Sequence, residues 1–163
     1  MEEEFHNHMR IPWHDYTRKS IGRPITEASL SEKASIIGRT GIMLLSCGTG
    51  AWRVRSSMNT LARELGITCT ADIGLLSIEY TCIDGGNCYT ESLCLFNTGV
   101  NTSKLYRMEL FVNKFSKNCK KMSGDELHTL LDQIHEIHGF YSPPFLGPVS
   151  YTHLRAHETC ADL

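Results

Sequence analysis

His128, His135 and His138 are the residues best suited to metal chemistry. His135 and His138 are three apart, so on a helix they share a face and could hold one zinc ion between them. No third ligand follows at a recognisable spacing. Solvated surface imidazoles are the favoured reading, with a two-histidine site completed by another helix left open. Cys82 and Cys88 flank Asp84-Gly-Gly-Asn87 and could face each other across a hairpin. In a reducing compartment they stay thiols, and small strand hydrophobes are favoured over a redox pair. A cysteine–histidine hydrolase would need a nucleophile motif, and nothing here resembles a nucleophile elbow. Gly48-Thr-Gly50 lacks the rest of a phosphate loop and reads as a helix break that admits close packing. No catalytic residue, no cofactor-binding residue and no metal ligand is assigned.

The bulk composition narrows the classes further. The chain has 163 residues, 41% hydrophobic and 21% charged, which suits one domain with a single core. There are 16 basic and 18 acidic residues, a balance that gives no footprint for nucleic acid. The apolar stretches, such as Ile42 to Leu45, are far short of the roughly 20 residues a membrane helix needs. The acidic start Met1-Glu-Glu-Glu has no apolar segment of a secretory signal. The seven cysteines (47, 69, 82, 88, 94, 119 and 160) form no CxxC pair. Reduced thiols in the cytosol follow as the economical reading.

The elements that would position these groups follow from periodicity. Residues 1–28 are polar, with Pro12 and Pro24 among scattered aromatics, and read as a flexible or loosely docked N-terminal arm. Ser29-Leu-Ser-Glu32 is a capping-box signature for a helix over 30–47, whose face is Ala34, Ile37, Gly41, Leu44 and Leu45. Its glycines make sense if another backbone packs closely. A second helix over 51–65 ends at Gly66, where a left-handed cap is expected. From Ile67 the period becomes two, with a slip at Gly74-Leu75-Leu76 that reads as a β-bulge in one long strand. Asp84-Gly-Gly-Asn87 turns this strand into a second over 88–96. Asn101 or Thr102 caps a third helix along Leu105, Met108, Val112, Phe115 and Cys119. Lys114, Lys117, Lys120 and Lys121 sit near its end as a solvated face, close to anionic lipid if the domain lies at a membrane. Ser123-Gly-Asp-Glu126 opens a fourth helix, which Gly139 ends, and Tyr141-Ser-Pro-Pro-Phe145 reads as a stiff linker. The expected fold is α+β in the order ααββαα: a helical hairpin, a two-stranded antiparallel β-hairpin and two further helices. A lone two-stranded sheet is marginal, so it must be covered by helices or extended by another strand or another copy.

The segment Pro148 to Thr159 resembles the in-frame translation of a sequencing-library adapter. Residues 146–163 are therefore expected to be a non-native or disordered tail, with the natural chain cut near Gly147. His153, His157 and Cys160 are excluded from site arguments.

Residues 33–145 resemble the N-terminal portion of the threonine/serine exporter family. The resemblance is carried by the run from Gly41 to Gly66: the small-residue break Gly48 to Gly50, then Val54, Met58 and the Leu65-Gly66 end. A looser match follows through Gly99-Val-Asn101 and the fourth helix. The resemblance implies a cytoplasmic domain, here 29–145, on the inner side of the cell membrane, followed by membrane helices that export amino acids. It implies a transporter and not an enzyme, with the membrane or a separate membrane subunit as partner, an amino acid as the full protein's substrate, and a homo-oligomer as an open possibility. Family relatives split into two chains, some tied to dicarboxylate export, suggest the alternative of a soluble subunit or free-standing binding module that pairs through its hairpin edge.

Overall fold

A computed structural model describes residues 11–20 and 22–138. The tail expected over 146–163, the Pro143-Pro144 linker and residues 1–10 of the expected arm lie outside the described residues. The fourth helix stops at His135, with Glu136 as its C-cap, short of the expected end at Gly139.

The fold is built around α1 (Leu30–Ser46), which is buried without interruption from Glu32 to Leu45. Ile36, Ile37, Ile42 and Leu44 are fully withdrawn from water. Each such side chain contributes about 1.5–3 kcal/mol of hydrophobic stabilisation. Ser29 caps the helix by accepting from the Glu32 N–H at 3.4 Å. Only half of the expected capping box forms, because the Glu32 carboxylate accepts from the buried Ser20 hydroxyl instead of reaching back. After the break at Cys47 to Gly50, α2 (Ala51–Glu64) returns along α1 and buries Val54, Met58, Leu61 and Ala62. Gly66, at φ +71°, closes it in the left-handed conformation its position requires.

The sheet has three strands, not two, and corrects the ααββαα expectation. It is antiparallel in the order β1 (Thr68–Ile73), β2 (Ser77–Asp84), β3 (Asn87–Cys94). The slip at Gly74-Leu75-Leu76 is a tight turn, closed by the Gly74 N–H on the Ser77 carbonyl at 2.8 Å. A bulge and a turn interrupt the two-residue period alike. Leu75 at the tip is 85% exposed, an apolar residue where turn chemistry would favour a polar one. One face of the sheet turns Cys69, Ile78, Tyr80, Cys82 and Leu93 into the core; the other carries exposed Thr68, Thr70, Asp72, Glu79, Thr90 and Ser92.

The glycines of α1 admit side chains, not a backbone. A Cβ on Gly38 would lie 2.2 Å from the Tyr80 hydroxyl, and one on Gly41 would lie 2.6 Å from Met58 Sδ. Tyr80 reaches through this gap to donate to the Ala34 carbonyl at 3.1 Å.

Asn101 caps α3 (Thr102–Lys114) by accepting from the Lys104 N–H at 2.9 Å. A π-helical turn (Phe115–Cys119) continues it and keeps Phe115 and Cys119 in the core. The capping box of α4 (Gly124–His135) is complete: Ser123 N–H donates to Glu126 at 2.8 Å, and Glu126 N–H to Ser123 Oγ at 3.3 Å.

Residues 11–20 and 22–28, part of the expected flexible or loosely docked arm, pack on α1 and α4. Short 3₁₀ turns (Trp13–Thr17 and Ile25–Glu27) bury Trp13, Thr17 and Ile25. The Ile25 N–H donates to the Met122 carbonyl at 2.8 Å. Two isolated anchors, Trp13 and Ile25, set no period that a sequence pattern would reveal.

Candidate functional site

Two polar stripes face each other where α1 meets α4. On α1 the stripe is Glu32, Ser35 and Arg39; on α4 it is Asp125, His128 and Asp132. Both follow the i, i+3, i+7 spacing of one helix face. Trp13 and His14 of the first 3₁₀ turn lie over the junction.

Arg39 sits in an apolar run and its side chain is only 6% exposed. A buried guanidinium needs partners. It finds the Asp132 carboxylate and the His128 carbonyl, the latter at 3.0 Å, and stacks 5.7 Å from the Trp13 ring centroid. Among the described residues its Nε has no hydrogen-bond partner. Burial lowers the Arg39 pKa against the pull of Asp132.

His128 is 0% exposed, which corrects the surface reading of this residue. Arg39 Nη1 lies 3.2 Å from its Nδ1, and Ser35 Oγ lies 3.0 Å from its Nε2. A guanidinium can only donate, so Nδ1 accepts and Nε2 carries the proton. Ser35 then accepts from His128 while donating to the Glu32 carbonyl at 2.7 Å. This is the reverse of nucleophile activation, where the imidazole must accept the hydroxyl proton. Burial, with the Arg39 charge beside it, pushes the His128 pKa down to about 3. The ring is a neutral strut, stacked 5.9 Å from Trp13.

His14 is the opposite case. Its Nδ1 lies 2.6 Å from Asp125 Oδ1 and its Nε2 2.8 Å from Asp132 Oδ2. Its hydrogen bonds to Asp125 and Asp132 raise its pKa. The Asp125 carboxyl is held low, chiefly by His14. Burial pushes Asp132 up, but Arg39 and His14 overcome it and hold the carboxyl low. Thr17 Oγ1 donates to the His14 carbonyl at 2.9 Å. The cluster thus ties the N-terminal turn to both helices, with its charges paired internally.

A cavity of about 370 Å³ opens beside it, bordered by Ile11, Trp13, His14, Arg39, Asp132 and Glu136. A second, of about 440 Å³, lies between α3 and α4 along Phe111, Lys114, Met122, Leu130 and Ile134.

The other sequence-derived candidates scatter. His135 is half-buried at the end of α4, and His138 is exposed beyond it. Among the described residues no group of three His, Cys, Asp or Glu could hold a metal ion. Cys82 and Cys88 do not face each other: Cys82 pairs with Tyr89 and Cys88 with Ile83, so Cys82 points into the core and Cys88 to solvent. Lys120 pairs with Glu64 at 2.7 Å, while Lys114, Lys117 and Lys121 are exposed. Gly48 receives the 97–101 loop: the Gly99 N–H donates to the Ser46 carbonyl at 3.2 Å. Ser35, Arg39, Asp125 and Asp132 were not singled out from the sequence. The available signal was Arg39 itself, a charge within an apolar helical face.

The helical core that presents Arg39, His128 and Asp132 matches a family of transport proteins. The family model described as Putative threonine/serine exporter matches residues 35–150, more than two thirds of the chain. The chain belongs to this family, which is one of transporters and not of enzymes. Ser35, Arg39, Asp125, His128 and Asp132 all fall inside the matched region; Trp13 and His14 precede it. No curated protein and no solved structure matches the chain.

Proposed function

We propose that residues 11–138 form a water-facing domain, on the cytoplasmic side, of a membrane exporter of threonine and serine. The observation that carries this reading is the family match over 35–150. Supporting it, the outer face of the sheet is dominated by threonine, serine, aspartate and glutamate, side chains that water solvates and lipid does not. No helix among the described residues is long and apolar enough to cross a membrane. On this reading the path for the solute belongs to other parts of the transporter, in the same polypeptide or in a membrane subunit. Within the domain, the Arg39–Asp132–His14–Asp125 cluster holds the N-terminal turn on α1 and α4. The cytoplasmic assignment rests on cysteine usage: Cys47, Cys69, Cys82, Cys88, Cys94 and Cys119 are free thiols, as a reducing compartment keeps them.

The alternative reading is a chain that pairs with a membrane subunit through the edge of its sheet, although the sheet alone does not require such a partner. The sheet has a third strand and is covered on its inner face by α1 and α2.

Sidedness is tested at Cys88, which is exposed. With Cys94 and Cys160 replaced by serine, a membrane-impermeant maleimide should label Cys88 only after intact cells are permeabilised. Labelling of intact cells would place the domain on the outer side and overturn the assignment.

A further inference from the structure

Cys69 and Cys82 are opposite one another in the β1–β2 ladder. The Gly74 N–H to Ser77 carbonyl bond makes 74 and 77 a hydrogen-bonded pair. Antiparallel pairs alternate, so 72–79, 70–81 and 68–83 are hydrogen-bonded too, and 69–82 is not. The β3 side agrees: the Leu95 N–H donates to the Leu76 carbonyl, which directs the N–H and C=O of Cys82 toward Tyr89 and away from Cys69. Non-hydrogen-bonded pairs bring Cα atoms to about 4.5 Å, the closest spacing in a sheet. A disulfide spans Cα atoms about 4.4–6.8 Å apart. Both side chains project from the same inner face, and both thiols are buried. Each thiol acts on the titration of the other: Cys82 lowers the Cys69 pKa, and Cys69 raises that of Cys82. Elsewhere in the ladder, Cys88 faces Ile83 and Cys94 faces Ser77, so 69–82 is the one cysteine pair in register among the described residues.

We propose that Cys69 and Cys82 are a reversible thiol–disulfide site that staples β1 to β2 when a small-molecule disulfide, of the glutathione disulfide class, is present. Cys69 is the attacking thiol. It lies on the edge strand, it is the better thiolate of the two, and β1 is only six residues long, so local opening at the edge exposes it. The Cys69 thiolate attacks one sulfur of the oxidant. The oxidant's S–S bond breaks, one small thiol leaves, and a mixed disulfide remains on Cys69. Cys82 then gives its proton to water and attacks the Cys69 sulfur, displacing the second small thiol. Two protein thiols are oxidised to one disulfide, and one small disulfide is reduced to two thiols. The product ring closes the β1–β2 turn and fixes the edge strand that follows α2.

The test incubates the full chain with glutathione disulfide for hours, blocks free thiols with maleimide under denaturing conditions and counts them by mass. The wild type should lose two reactive thiols, recovered by dithiothreitol, and proteolysis should yield one peptide pair joined through Cys69 and Cys82. Cys69→Ser and Cys82→Ser should each fail to lose two thiols. A wild type that keeps every thiol, or a link mapped to any other cysteine pair, overturns the proposal. The peptide map needs no variant, so it decides the matter even if a serine replacement fails to fold.

Discussion

Asp132 divides its carboxylate between two cations: Oδ1 accepts from Arg39 of α1 and Oδ2 from His14 of the N-terminal turn, at 2.8 Å. Arg39 is buried, whereas the Asp132 side chain is 47% exposed, so the two ends of this pair are not equivalent. Removing the acid leaves a charge with less compensation in the interior. Removing the base leaves a carboxylate that water and His14 still serve.

Asp132→Ala should therefore destabilise by about 2 kcal/mol, the scale of hydrogen bonds to a charged group. Arg39→Met, which fills similar volume without a charge, should cost less. Urea unfolding of both variants checks the order. Arg39→Met costing more than Asp132→Ala would contradict it.

Gly38→Ala should destabilise by about 3 kcal/mol, at the upper end of overpacking costs. The new Cβ would meet the Tyr80 hydroxyl at 2.2 Å and Cζ at 2.4 Å. Moving Tyr80 also withdraws its single hydroxyl proton from between the Glu91 carboxylate at 2.6 Å and the Ala34 carbonyl at 3.1 Å. Tyr80→Phe should not rescue Gly38→Ala, because Cζ remains in the way; full recovery in the double variant, measured by thermal unfolding, would refute this packing.

His128 makes stability fall on the acid side. Its folded pKa, about 3, lies below its ordinary value of 6.5, so the unfolded chain takes up the proton first. The contribution is complete above pH 6.5 and is lost as pH falls toward 3, at about 1.4 kcal/mol per pH unit. His14 acts with the opposite sign. Its folded pKa is raised, so its contribution is complete below 6.5 and is lost as pH rises through the folded value. At 43% exposure its effect is the smaller. Urea midpoints between pH 4 and 8 should show a steep acid limb, which His128→Gln flattens; an unchanged limb in that variant would contradict the assignment.

Ser123→Ala removes the hydroxyl half of the α4 capping box and should cost about 1 kcal/mol. Ser29→Ala should cost less, since its bond to the Glu32 N–H is longer, at 3.4 Å, and is not reciprocated. Thermal unfolding of the two variants side by side gives the comparison.

Local signals in the sequence carried the helices. Ser123 with Glu126, Asn101 before Thr102, and Gly66 after Leu65 are short-range devices whose partners lie within a turn. The sheet was half legible: Asp84-Gly-Gly-Asn87 is a turn by composition, but Gly74-Leu-Leu-Ser77 is a turn only by geometry. A one-residue error in register places Cys82 opposite Cys88, whereas the Asp84–Asn87 pair places it opposite Tyr89 and flips Cys88 to the other face. The polar cluster was the least legible part, because His128 meets Ser35 and Arg39 across 93 and 89 residues of sequence. Helical spacing puts each stripe on one face but does not say which faces meet.

The most direct measurement is efflux of radiolabelled threonine from preloaded cells that express the natural gene carrying this chain. Threonine should leave faster than from cells lacking the gene. Equal rates, with the protein detected in the membrane fraction, would contradict an exporter of threonine.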